Sequence, residues 1–464
     1  MIEGRGLLGT TVTMCTAFER AAVWLTAVVF VAGVAPSASV PRARHDQRGG
    51  GRAVCSPREP FKPPVLATLP AGVLALDGRR GLAVVVSGQT TPHAASLSVA
   101  TYSIATGRVV RSRRISTAPA SSGAPSAVVN DALSVVVDGT TERIFVLHEP
   151  YAAGLYPVGR VDVLDERTLV LLRGVRVGRV ALFPALDERT GRVFVANQQS
   201  GTVSVLDAGT GQLLRTVAVS RGPLGPSAPP VADERSDRVF FAADTAQGNV
   251  VVLDARSGAI VRRVTVSAYP QVLALDRSAG HVLVAGSGIA RLLDARTGSL
   301  LRAAMIPGSP RAALVDEAGH SAFIGYGDNA NVSMLDMRTG VVLRTIPVRL
   351  ENTHPAHPRR PRGTDQAENE TYSIVDRVDE RRHWVVVRVP AVMADDGPEQ
   401  GPSQITVLDS RTGLRIHTVF SEPAWPDALA VDDRRGRAFS NVGGAIDMYD
   451  ISCLNSYYIF GDLG

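Results

Sequence analysis

Three observations predict an all-β fold, a β-propeller of four-stranded blades. A two-part sequence unit recurs eight times. Its period is 40–47 residues where four successive copies place Asp207, Asp254, Asp294 and Asp336, which suits a four-stranded blade. Apolar residues alternate with polar ones in short runs, and no long stretch repeats at the helical period.

The first part of the unit is an apolar segment ending in Asp, a few polar residues, then a second apolar segment. It reads LALDGRRGLAVVV from Leu74, PALDERTGRVFVA from Pro184 and LALDRSAGHVLVA from Leu273. Other copies start near Ser134, Pro230, Ala313, Ser373 and Leu429. The second part is an alternating segment, then D-x-x-[TS]-G and another apolar run, as in VSVLDAGTGQLLRTVAV from Val203. Asp at a turn start accepts hydrogen bonds from backbone N–H groups one or two residues on. Gly supplies the positive φ of a type I turn followed by a bulge. Each unit therefore reads as two hairpins. The turn aspartates Asp207 and Asp336 are expected to cap turns rather than to bind anything.

The eighth unit stops early, with only fourteen residues after Asp450. The run Pro64 to Pro70 looks like the end of a fourth strand. The expectation is eight repeat units, with seven blades as the alternative, and a ring closed by this N-terminal strand. Such closure removes sheet edges that would invite aggregation. Antiparallel pairing there would bring Cys55 and Cys453 to one edge of one blade, making them disulfide candidates. The alternative is two free, distant thiols.

Residues 1–40 read as a signal peptide or N-terminal anchor: Arg5 and Arg20, an apolar run from Ala21 to Ala35, then small residues. Residues 41–63 read as an Arg/Pro-rich linker and 64–464 as the propeller domain. Net charge is +5, and all basic residues but Lys62 are Arg. No basic stripe or reading module points to nucleic acid.

Together, V-D-x-x-x-x-R-x-[FV]-V and V-x-V-L-D-x-x-T-G-x-x-x-R-T-[IV]-x-V resemble the YVTN-repeat propellers of bacteria and archaea. The resemblance spans Val65 to Ser452, and FVAN from Phe194 to Asn197 comes nearest the signature. The Trp-Asp pair of WD40 blades is absent. The resemblance implies an extracytoplasmic (secreted, periplasmic or cell-surface) protein, usually without a defined reaction.

The connections expected to be long are Gly88 to Leu97, Thr117 to Asp131, His148 to Gly159, Arg221 to Pro230, Leu350 to Thr371 and Ala391 to Ser403. In the expected register all fall on one face, where function concentrates. His148, Glu149, Tyr151 and Tyr156 form the most binding-like group there, weighed against a packed surface loop. Asp395, Asp396 and Glu399 could meet a cation such as Ca²⁺, weighed against a solvated acidic loop. His354 and His357 lack a third metal ligand. No catalytic motif, cofactor motif or metal motif is present. The expected function is a binding or scaffold module for an unknown protein, glycan or small molecule. A membrane would be met only through an uncleaved anchor. The alternatives are a lactonase-like or quinoprotein-like propeller enzyme, and a cell-surface assembly module.

Overall fold

The computed structural model describes residues within 65–450, apart from 92–93, 120–131, 149–157, 225–227, 244–247, 267–268, 349–372, 380–382, 390–391, 395–396, 401–402, 422–426, 433–434, 436 and 443–444. The described elements are all strands, and they form eight four-stranded antiparallel sheets and one small hairpin.

The chain starts with β1 (Val65–Pro70). Blade 1 follows as β2 (Val73–Asp77), β3 (Leu82–Thr91), β4 (Ala94–Ser103) and β5 (Val109–Pro119). Blade 2 is β6 (Ala132–Asp138), β7 (Arg143–His148), β8 (Val158–Asp165) and β9 (Leu171–Arg179). Blade 3 is β10 (Ala181–Asp187), β11 (Arg192–Asn197), β12 (Thr202–Asp207) and β13 (Leu213–Ala218). Blade 4 is β14 (Val231–Asp233), β15 (Arg238–Ala243), β16 (Asn249–Asp254) and β17 (Ile260–Thr265). Blade 5 is β18 (Val272–Asp276), β19 (His281–Gly286), β20 (Ile289–Asp294) and β21 (Leu300–Met305). Blade 6 is β22 (Pro310–Asp316), β23 (Ser321–Tyr326), β24 (Asn331–Asp336) and β25 (Val342–Pro347). Blade 7 is β26 (Ile374–Asp379), β27 (Trp384–Val389), β30 (Ser403–Asp409) and β31 (Arg415–Ser421), with the hairpin β28 (Val392–Ala394) and β29 (Gly397–Gln400) between its middle strands. Blade 8 is β32 (Asp427–Asp432), β33 (Arg437–Val442) and β34 (Ala445–Asp450), completed by β1.

The expected N-terminal contribution to the last blade is present. β1 runs antiparallel to β34, with Val65 opposite Tyr449 and Pro70 opposite Ala445. First strands touch the first strands of neighbouring blades, from blade 8 to blade 1 and on to blade 7. Fourth strands carry the exposed aliphatics, such as Val109, Leu214, Val261 and Leu301.

The core is a series of seams. Alternation sends Phe145, Leu147, Val161 and Val163 of blade 2 toward blade 3, while Ile144, Val146 and Leu164 face blade 1. Both faces of a middle strand are thus buried, so these strands read as nearly continuous apolar runs.

The D-x-x-[TS]-G turns cap themselves as expected. Asp207 Oδ1 accepts from the Thr210 N–H and hydroxyl, each at 2.9 Å, and Gly211 adopts φ +68°. Arg192 reaches the other carboxylate oxygen at 2.8 Å. Burial is the largest influence on Asp207 and opposes ionisation. The Thr210 bonds and Arg192 outweigh it, so the carboxyl sits below its ordinary range. The same glycine also receives the neighbouring blade: a Cβ on Gly258 would lie 3.0 Å from Arg215, and one on Gly298 would lie 2.8 Å from Val252. The Arg of three LLR-type runs then donates to the next blade's turn. Arg173 bonds Thr210 O at 3.2 Å, Arg215 bonds Ser257 O at 2.7 Å, and Arg262 bonds Thr297 O at 3.3 Å.

Candidate functional site

His148 closes β7 where the chain enters a long connection, and the strand pleat turns it toward blade 1. It is 2% exposed and Asp162 on β8 is 1% exposed. His148 Nε2 stands 3.1 Å from Asp162 Oδ2, and Arg160 Nε donates to Oδ1 at 2.6 Å. Gly174 lies opposite Asp162 on β9. A Cβ there would meet Arg160 Nη2 at 1.9 Å, so the glycine makes room for the guanidinium. Burial is the largest influence on Asp162 and opposes ionisation, but the bonds from His148 and Arg160 outweigh it and hold the carboxyl low. His148 Nδ1 has no partner. In the tautomer whose Nε2 carries the proton, Nδ1 keeps a free lone pair.

Other blades build the same rung from neutral groups. Asn197 at the end of β11 donates to Thr202 and Ser204, each at 3.0 Å. The Tyr326 hydroxyl at the end of β23 donates to Ser333 at 2.6 Å, and Ser333 lies 3.2 Å from Thr345. His148 is therefore placed inside a seam as the charged version of a repeated internal tie. It does not stand on the open face where the sequence suggested a ligand group.

The remaining candidates fall elsewhere. Glu149, Tyr151, Tyr156, Asp395, Asp396, His354, His357, Cys55 and Cys453 lie outside the described residues. Glu399 lies in β29, with its backbone alone described. Among the described residues, no group of three His, Cys, Asp or Glu side chains stands close enough to hold a metal ion.

The connections themselves differ from the expectation in an informative way. Most of Gly88 to Leu97 is not a loop. β3 and β4 continue as a hairpin through Thr91 opposite Ala94, and β5 follows to Pro119. The runs SGQTT and ASLS are polar enough to read as a loop, yet their backbones pair across the hairpin. Among the described residues, β2 pairs with β3 only as far as Val73 opposite Val86. No strand among the described residues pairs with the edge of β3 away from β4 from Ser87 to Thr91, at the end carrying the long connections. The connection from Ala391 to Ser403 likewise contains β28 and β29.

Two features of the region escaped sequence reading. First strands β6, β10, β22, β26 and β32 each carry a bulge near their start. In β10 the bulged residue is Phe183 at φ +48°, a backbone conformation unfavourable for a bulky side chain. Bulges leave no composition signal. The second feature is Glu166, which occupies a position filled by Ala208, Ala255 and Ala295 in later blades. An alignment of the repeats on their turn aspartates would have exposed it.

No family model matches the chain, and no curated protein matches it. Solved structures do. The computationally designed Ika8 protein is 19% identical and aligns over 83% of this chain and 98% of its own, at TM-score 0.51. The C-terminal WD40 domain of Sif2 is 9% identical over 84% of this chain and 98% of its own, at TM-score 0.57. BamB from Moraxella catarrhalis is 15% identical over 84% of this chain and 100% of its own, at TM-score 0.49. At these identities the likeness to the first two establishes the fold. This chain is a β-propeller.

Proposed function

We propose that this propeller is a YVTN-like extracytoplasmic binding module whose partner is a protein docking on the long-connection face. The observation that carries the reading is the β3 edge from Ser87 to Thr91, which among the described residues no strand pairs on the side away from β4. Unpaired N–H and C=O groups on a strand edge accept an extended segment of another chain, with main-chain bonds supplying affinity. The face around it holds the additional hairpin β28–β29, whereas turns such as those after Asp207 and Asp254 are short and self-capped. The charged and apolar pattern of residues 1–40 supports export.

A photo-reactive residue at Thr90 is expected to form discrete protein adducts, and one at Arg256 in a short turn is not. Equal labelling from both positions would refute the reading. A reporter enzyme active only outside the cytoplasm, fused behind residues 1–70, tests export separately.

A further inference from the structure

The seam between blades 1 and 2 holds an acidic pair with no counterpart among the described residues of the other blades. Six first strands whose side chains are described end in a buried Asp: Asp77, Asp138, Asp187, Asp233, Asp276 and Asp316. One oxygen, Oδ1, accepts hydrogen bonds from the following turn, as in Asp77 from Arg79 and Arg80, and Asp138 from Thr140 and Thr141. The second oxygen needs a separate donor, because a buried unpaired carboxylate oxygen is unfavourable.

The blades supply that donor in different ways. Thr141 donates to Asp138 and Ser236 to Asp233, in each case from three residues on. Thr190 stands at the same offset from Asp187. Its hydroxyl and Asp187 Oδ2 are both unpartnered, so one rotation joins them. In blades 5 and 6 the next blade provides the group: His320 for Asp276 at 2.9 Å, and Ser410 for Asp316. Blade 1 departs from this pattern. The residue three on from Asp77 is Arg80, and Asp77 Oδ2 has no partner.

The next blade places Glu166 there. Glu166 follows the last residue of β8, as Ser410 follows β30, and both backbone N–H groups bond back to their own blade. The equivalent residues Ile104, Ala208, Ala255, Ala295 and Met337 are all buried and carry no acid. The Glu166 side chain is fully buried, and neither of its oxygens has a hydrogen-bond partner. Arg80 Nη1 stands 3.1 Å from Oε2. Burial, then the charge of Asp77, raise the Glu166 carboxyl, while Arg80 opposes them, leaving it at about 7.

We propose that one proton shared between Glu166 and Asp77 fastens the seam of blades 1 and 2, and that losing it loosens that seam. The protonated Glu166 hydroxyl donates to Asp77 Oδ2, the role Ser410 plays for Asp316. When the proton leaves to solvent, two carboxylates face each other across a buried contact. Arg80 is then the neutralising group from blade 1, since Arg79 pairs instead with Glu188 of blade 3 at 2.6 Å. On the blade 2 side stand Asp165, Arg167 and Glu142. Arg167 pairs with Glu142 and Arg143 with Asp165. A carboxyl raised on folding contributes stability that is complete below its unfolded value of 4.5 and lost as pH rises through about 7.

The test compares the wild-type chain with Glu166→Gln, whose amide donates without titrating. Between about pH 5 and about pH 8, wild type should lose on the order of a hundredfold in its folding equilibrium relative to the variant. Hydrogen exchange in β2 and β8, corrected for intrinsic rate, should quicken over the same interval in wild type alone. Difference infrared spectra at about pH 6 should show a protonated-carboxyl band that the variant lacks. If Glu166→Gln does not fold, Glu166→Ala carries the side chain that blades 3 to 5 use and should be equally insensitive. Parallel pH profiles, or no protonated-carboxyl band in wild type, overturn the proposal.

Discussion

A glycine that recurs in the sequence serves one of two physical demands, and the chain contains a clean contrast. Gly191 adopts φ +63° with nothing within 4 Å of an added Cβ, whereas Gly298 at φ +67° has Val252 at 2.8 Å. Gly191→Ala should cost only the conformational term, about 1 kcal/mol. Gly298→Ala should add steric conflict and cost about 2–4 kcal/mol. Urea unfolding of the two variants measures the difference. Sequence showed both glycines equally, because the approach of blade 4 to Gly298 is a long-range fact. The buried pair of blade 2 carries a second expectation. Asp162→Asn leaves His148 and Arg160 facing a neutral group and should cost about 2–4 kcal/mol near neutral pH. Asp162 titrates below its ordinary 3.8 in the folded chain. Its contribution is therefore present above that value and fades as pH falls through the lower folded one. The penalty of the variant should shrink in acid, and a penalty independent of pH would contradict the assignment.

At the scale of strands and turns, the legible part was whatever repeats within the hairpin. The Asp and Gly of D-x-x-[TS]-G predicted their turns, because each bond closes within three or four residues. The Arg of the LLR runs was visible too, but its partner lies in the next blade. Arg215 donates to Ser257 O and packs its stem against Gly258. Arg215→Met keeps most of the stem and removes the donors, so the loss should stay near 1 kcal/mol, whereas Arg215→Ala should cost more. Thermal denaturation of both variants separates stem from charge. The hairpin of blade 1 was misread as a connection because SGQTT lacks the aliphatics that mark strands elsewhere. Backbone pairing can continue where packing has stopped, and polarity alone does not reveal it.

At the scale of the whole molecule, the first described strand completes the last blade. β34 has β33 on one side and β1 on the other, and Leu69 of β1 is 1% exposed in a cluster with Phe439, Ile446 and Met448. The truncated eighth unit made this pairing legible, since a blade short of one strand must borrow it. The long-connection face was less legible, because its residues follow no repeat. The joint also bears on the cysteines. Val65 stands opposite Tyr449, and in the sequence Cys55 precedes Val65 by ten residues while Cys453 follows Tyr449 by four. These short sequence distances from one strand pair make the two thiols candidates for a bridge. We expect them to be bridged wherever the compartment is oxidising. A bridge closing so long a loop adds about 4 kcal/mol on loop-entropy grounds. Non-reducing mass spectrometry should show one Cys55–Cys453 peptide pair, and reduction should lower the thermal midpoint while Cys55→Ser removes that dependence. Two free thiols in the mature protein would mean that strand pairing alone holds the joint.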